Sequence, residues 1–238
     1  VLCYGAPAMM KLRDLRRFRD PRRLWQRVVL YSKVVNPYVS WQKPASFDTL
    51  FATARTRTLL SETRAHMLFS LARHAVQLEG SFAEIGVYRG GTAYLLANVA
   101  KTKKRDLHLF DTFEGMPETD VKNDLHTAGD FADTSLESVR KFVGNSAEYH
   151  QGFFPATAAG LEDARFSFAH VDVDIHQSVA DCCSFFYPRM TPGGVMVFDD
   201  YGWTSCPGAK RAVDDYFADK PEPVLHLSTA QAIVIKLP

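Results

Sequence analysis

The chain has 238 residues, 46% of them hydrophobic, enough to bury one substantial core as a single domain. Lys and Arg number 28 against 27 Asp and Glu, so the overall charge points to no polyanionic partner, and no apolar run reaches transmembrane length. The four cysteines, Cys3, Cys182, Cys183 and Cys206, show no CxxC spacing, which argues against a disulfide framework or a zinc site and for reduced cytoplasmic thiols.

The chain opens on Val1-Leu2-Cys3-Tyr4, with neither an initiator Met nor the form of a signal peptide, which suggests a trimmed start. Residues 1–58 are poorly periodic and broken at Pro7, Pro21, Pro37 and Pro44; they read as a cap or lid of short helices and loops over a main domain at 59–238. A basic cluster, Lys11, Arg13, Arg16, Arg17, Arg19, Arg22, Arg23 and Arg27, fits a solvated helix on the domain or an oligomer contact better than a nucleic-acid or membrane surface. Over 59–78 the apolar positions repeat at helical spacing, although Ser61 followed by Arg64 is not a capping box.

From there strands and helices alternate. Residues 81–87 predict a buried strand, 92–101 a helix, and 107–111 a second strand ending in an acid. A long loop over 112–133 leads to a helix at 135–143 and a third strand at 150–154. A fourth strand covers 166–173, a helix 177–188, and a fifth strand 194–198 behind Gly193-Gly194. A helix at 208–218 and two strands, 224–227 and 232–237, complete a doubly wound α/β sheet ending in an antiparallel hairpin, with no internal repeat.

Two acidic pairs close successive strands. Alternation along an extended chain puts Asp172 and Asp174 on one side, and Asp199-Asp200 ends the next run. If those strands are parallel neighbours, both pairs emerge at the carboxyl edge of the sheet, where open α/β sheets bind ligands. Carboxylates gathered there suit a hard divalent cation. Glu84-Ile85-Gly86 followed by Gly90-Gly91 before a helix outlines a nucleotide-binding turn, but Val87 interrupts the dinucleotide pattern. Asp111, a little over twenty residues after that turn, matches the acid that grips a ribose diol, so the pair suggests S-adenosylmethionine (SAM) rather than NAD.

The segments Glu84–Gly91, Phe110-Asp111-Thr112-Phe113-Glu114-Gly115-Met116-Pro117, Gly129-Asp130-Phe131, Gly152-Phe153-Phe154-Pro155, Asp172-Val173-Asp174 and Gly193 to Tyr201 resemble the macrocin O-methyltransferase family. That resemblance implies a Rossmann-like class I SAM-methyltransferase fold and a SAM- and Mg²⁺-dependent O-methyltransferase. It also implies a cytoplasmic homodimer acting on a small-molecule acceptor with vicinal hydroxyls, such as a sugar on a glycosylated natural product, with no nucleic-acid or membrane partner. By the same resemblance Asp172, Asp199 and Asp200 would hold the metal and Asp174 would be the general base. Glu84, Ile85, Gly86, Tyr88, Gly90, Gly91, Thr92, Asp111 and Thr112 would bind SAM, with Asp130 and Phe131 on the adenine side. The chain departs from the family in carrying His176-Gln177 where Tyr-Glu commonly follows the acidic motif, which makes His176 an alternative base. Lys210 and Arg211 read as an exposed helical face.

Rival readings are a nucleotide-sugar glycosyltransferase using the DxD motif, a haloacid-type phosphotransferase and an RNA-binding protein. The first leaves the glycine turn and Asp111 unexplained, and the second expects DxD near the start of its core. The third needs a base-reading surface that the sequence does not display.

Overall fold

The computed structural model describes residues 44–238 apart from Val121; residues 1–43, with the basic cluster, lie outside the described residues. Pro44–Pro238 form one compact unit. It opens with two helices, α1 (Ala45–Ala54) and α2 (Glu62–Ala75). Phe47 of α1 is wholly buried and packs on Phe51, His66 and Phe69. Helix α2 starts where Ser61 Oγ accepts the Arg64 amide at 3.4 Å, a cap made without an acid at the third position.

Five parallel strands follow: β1 (Ser81–Ile85), β2 (Leu107–Asp111), β3 (Glu148–Gln151), β4 (Phe166–Val171) and β5 (Met190–Phe198). They are linked through α3 (Gly91–Lys101), α4 (Leu136–Val143) and α5 (His176–Phe186). After α6 (Pro207–Phe217), β6 (Leu225–His226) and β7 (Ala232–Ile235) close the sheet, with β7 antiparallel to β5. The strand order is β3-β2-β1-β4-β5-β7-β6, the doubly wound sheet with a terminal hairpin that the alternation predicts.

Period-two alternation divides the apolar residues between the faces. Phe82, Leu107, Leu109, Phe168 and Val197 face α1 to α4, whereas Ala83, Phe110, Ala169 and Phe198 face α5 and α6. All six residues of β4 are buried. Burial of each Phe there contributes about 1.5–3 kcal/mol to holding the central strand.

Some boundaries differ from expectation. Strand β3 ends at Gln151, because Gly152 turns at φ 128° while its amide bonds the Asp111 carbonyl at 3.0 Å. Strand β4 ends at Val171 rather than Val173. Asp174 sits at φ 58° and the Ile175 amide folds back to the Val173 carbonyl at 2.6 Å, so the extended alternation assumed for Asp172 and Asp174 stops short of them. Among the described residues no helix is long and apolar enough to cross a membrane.

Candidate active site

The carboxyl ends of β1, β2, β4 and β5 open onto a cavity of about 310 Å³. Its first wall is the turn after β1. Gly86 adopts φ 85°, and a Cβ there would run into the backbone carbonyl of Asp172. A Cβ on Gly91 would meet the Arg57 backbone at 2.7 Å, and the Gly91 amide donates to the Arg57 carbonyl at 3.0 Å. These glycines therefore admit the chain's own backbone, whereas the sequence suggested that they admit a ligand.

Asp111 ties this turn together. One carboxylate oxygen accepts the Val87 and Tyr88 amides at 2.6 and 2.8 Å, and the other accepts the Phe113 amide at 2.7 Å. The Thr112 hydroxyl lies 3.4 Å from that second oxygen but donates at 2.6 Å to the Gly115 carbonyl, so of about four acceptor sites on the carboxylate one remains for a ligand hydroxyl. Ile85, Gly86, Tyr88, Thr92, Asp111, Thr112 and Phe131 all line the cavity. Glu84, Gly90, Gly91 and Asp130 do not. Glu84 is fully buried and bonds His170 Nδ1 at 2.8 Å. Asp130 lies at the surface, where the Thr127 amide and the His126 ring hold its carboxyl below the usual range.

At the far wall three of the four expected carboxylates meet. Asp172, Asp174 and Asp200 line the cavity, and the Asp174 amide donates to Asp200 Oδ2 at 3.3 Å. Burial, and then the charge of neighbouring carboxylates, raises Asp200 well above the ordinary carboxylate range. Burial chiefly pushes Asp172 up to about 6, partly countered by His170, and raises Asp174, countered by His126. Like charges crowded in a low dielectric favour a proton or a cation between them. All-oxygen donors suit a hard cation such as Mg²⁺, so Asp172 and Asp200 fit one. Asp199 lies beneath, fully buried: Gln231 Nε2 donates to its Oδ1 at 2.6 Å and the Arg64 guanidinium pairs with its Oδ2.

Several cavity residues carried no usable sequence signal. Arg64 approaches Asp200 Oδ1 at 3.8 Å and lies over the Trp203 ring. His126 Nε2 is 3.7 Å from Asp174 Oδ1, and Cys206 Sγ donates to that oxygen at 3.3 Å. A lone Arg, His or Cys outside a motif's own positions has no local pattern to reveal it. His176, the alternative base, lies outside the cavity lining; its amide caps onto Asp124 Oδ1 at 2.9 Å. Lys210 and Arg211 face away, bonded to Asp214 and Asn123.

The profile of the macrocin-O-methyltransferase (TylF) family matches residues 39–229. The chain is 29% identical over 153 residues to the 8-demethyl-8-(2,3-dimethoxy-alpha-L-rhamnosyl)-tetracenomycin-C 4'-O-methyltransferase of Streptomyces olivaceus, covering 58% of each chain. It is 28% identical over 155 residues to the demethyldecarbamoylnovobiocin O-methyltransferase of Streptomyces niveus, again covering 58% of each. The match thus spans little more than half the length of these relatives. Among solved structures, the O-methyltransferase NovP superposes with a TM-score of 0.66 at 23% identity, over 76% of this chain and 83% of that one. The calicheamicin methyltransferase CalS11 gives 0.63 at 18% identity, over 93% and 96%. These likenesses agree with the class I methyltransferase fold, and nothing in them supports a glycosyltransferase. With its profile matched across most of the sequence, the chain belongs to the macrocin-O-methyltransferase (TylF) family.

Proposed function

We propose that this protein is a SAM- and Mg²⁺-dependent O-methyltransferase that methylates a hydroxyl, of the sugar class, on a glycosylated natural product. The observation that carries the reading is the meeting, across one cavity, of the Asp111-clamped turn and the Asp172, Asp174 and Asp200 carboxylates in a chain of this family. SAM supplies an electrophilic methyl group, for which Asp111, Tyr88, Thr92 and Phe131 provide the binding wall. Asp172 and Asp200 would hold the cation; when bound, such an ion acidifies a hydroxyl that touches it.

The chain's own residues then have distinct tasks. Asp174 accepts the hydroxyl proton, a role typically contributing about 10²–10⁴-fold in rate. Its burial raises its proton affinity toward what that task needs. Cys206 and His126 hold the carboxylate in place from the opposite side. Trp203, Leu59 and Phe153, all part-exposed at the cavity, offer apolar surface to the acceptor. We propose that the enzyme works in the cytoplasm as a homodimer, on the family resemblance; the buried free thiols of Cys182, Cys183 and Cys206 are compatible with that compartment.

The test is incubation with SAM, Mg²⁺ and a panel of glycosylated acceptors, with mass detection of one added methyl. Thermal stabilisation by S-adenosylhomocysteine but not by UDP-sugars is the expected companion result. Stabilisation by UDP-sugars alone would overturn the reading.

A further inference from the structure

A second cluster of chemistry-bearing side chains lies at the sheet edge, outside the cavity lining. In the parallel pairing of β2 with β3, His108 stands opposite Glu148, and His150 follows two residues along the same face. His108 Nδ1 lies 3.1 Å from His150 Nε2 and 3.4 Å from Glu148 Oε2. Ligand atoms bound tetrahedrally to zinc at roughly 2.0–2.1 Å stand about 3.3 Å apart, so both measured separations already match the edges of such a polyhedron.

The surroundings fit as well. The Phe110 ring stacks on His150 at 4.4 Å and the Phe166 ring meets His108 edge-on at 5.9 Å, so an apolar floor fixes both imidazoles. The Glu148 side chain is 63% exposed, which supplies both the negative charge and an entrance from solvent. The cysteine spacing argued against a zinc site; two imidazoles and a carboxylate make a donor set that cysteine spacing does not test.

We propose that His108, Glu148 and His150 bind one divalent transition-metal ion of the zinc class, with water completing the coordination. The bound ion cross-links the edge strand β3 to β2 immediately before Gly152, Phe153 and Phe154, which line the cavity. Its role is therefore to brace one wall of the cavity rather than to take part in chemistry. Without metal, the two imidazoles share a hydrogen bond in its place.

The test uses the full chain, stripped with EDTA and then held in a large excess of Mg²⁺ to occupy the carboxylates of the cavity. Cobalt(II) is the probe, read by its visible ligand-field absorption and by thermal shift. One equivalent is expected to give a tetrahedral-type spectrum without a thiolate charge-transfer band, to raise the melting temperature, and to be displaced by Zn²⁺. Glu148→Gln, an exposed change, should weaken cobalt binding at least about tenfold, as should His150→Ala, whereas His126→Ala in the cavity should leave the spectrum unchanged. No cobalt spectrum, a spectrum indifferent to Glu148→Gln, or a thiolate band lost with His126→Ala would each overturn the proposal.

Discussion

Arg64, on the helix before the sheet, donates through Nη2 to the backbone carbonyl of Asp199 at 3.2 Å and pairs with the carboxylate of the same residue. The two residues are 135 positions apart in the chain, and Asp199 is completely buried. Such a pair is weak evidence for net stabilisation, but breaking it from one side leaves an uncompensated charge. Arg64→Met is therefore expected to cost about 3–5 kcal/mol in urea unfolding, while the double change Arg64→Met with Asp199→Asn recovers much of that loss. A single variant as stable as the parent would show that the pair carries no such burden.

Asp174 is expected to separate turnover from binding. Asp174→Asn keeps the side-chain shape and an acceptor for Cys206 Sγ, but removes the proton acceptor. The rate should fall by about 10²–10⁴-fold, with calorimetric affinity for S-adenosylhomocysteine nearly unchanged. Retention of the rate in Asp174→Asn, together with its loss in His176→Ala, would transfer the proton to His176.

Metal removal should distinguish ligands from base. EDTA is expected to abolish turnover and Mg²⁺ to restore it. In Asp200→Asn the Mg²⁺ needed for half-maximal rate should rise, with partial recovery at high concentration, because Asn still offers a carbonyl oxygen. Full activity after exhaustive chelation would reject the cation site at Asp172 and Asp200.

Asp111→Asn should reveal how much of the methyl-donor site depends on the turn. The Val87, Tyr88 and Phe113 amides all point at this carboxylate, and an amide cannot accept from both sides. Loss of about 1.5–3 kcal/mol in S-adenosylhomocysteine binding is expected. Equal affinity by calorimetry would remove Asp111 from the site.

Far from the cavity, Glu222 anchors the last strand through Tyr187 Oη at 2.7 Å, Lys236 Nζ at 2.8 Å and the Leu237 amide at 3.2 Å. Burial alone would raise its proton affinity, but these three donors outweigh burial and bring it down to about 2 from an ordinary 4.5. A depressed folded value means stability present above about pH 4.5 and lost as pH falls toward 2, on the order of 3 kcal/mol. Glu222→Gln should therefore lower the melting temperature at pH 7 and converge with the parent near pH 2. Parallel curves across that range would contradict the assignment.

The residues themselves determined the order of strands and helices, because side chains at period two or 3.6 report which face is buried without reference to any partner. The same logic put Asp172 and Asp200 at one edge, since parallel neighbouring strands end together. The residues could not show that β4 stops at Val171, because Asp174 turns on a positive φ that its sequence neighbours do not signal. Nor could they show that Asp199 faces Arg64 and Gln231 while Asp174 faces His126 and Cys206. Those pairings join segments 32 to 135 residues apart, so they depend on how helices and loops return to the sheet edge. Glu84 makes the same point: the glycine turn after it suggested a ligand contact, but its carboxylate is wholly buried against His170. Local pattern decides which residues are buried, and only the folded chain decides what each buried charge meets.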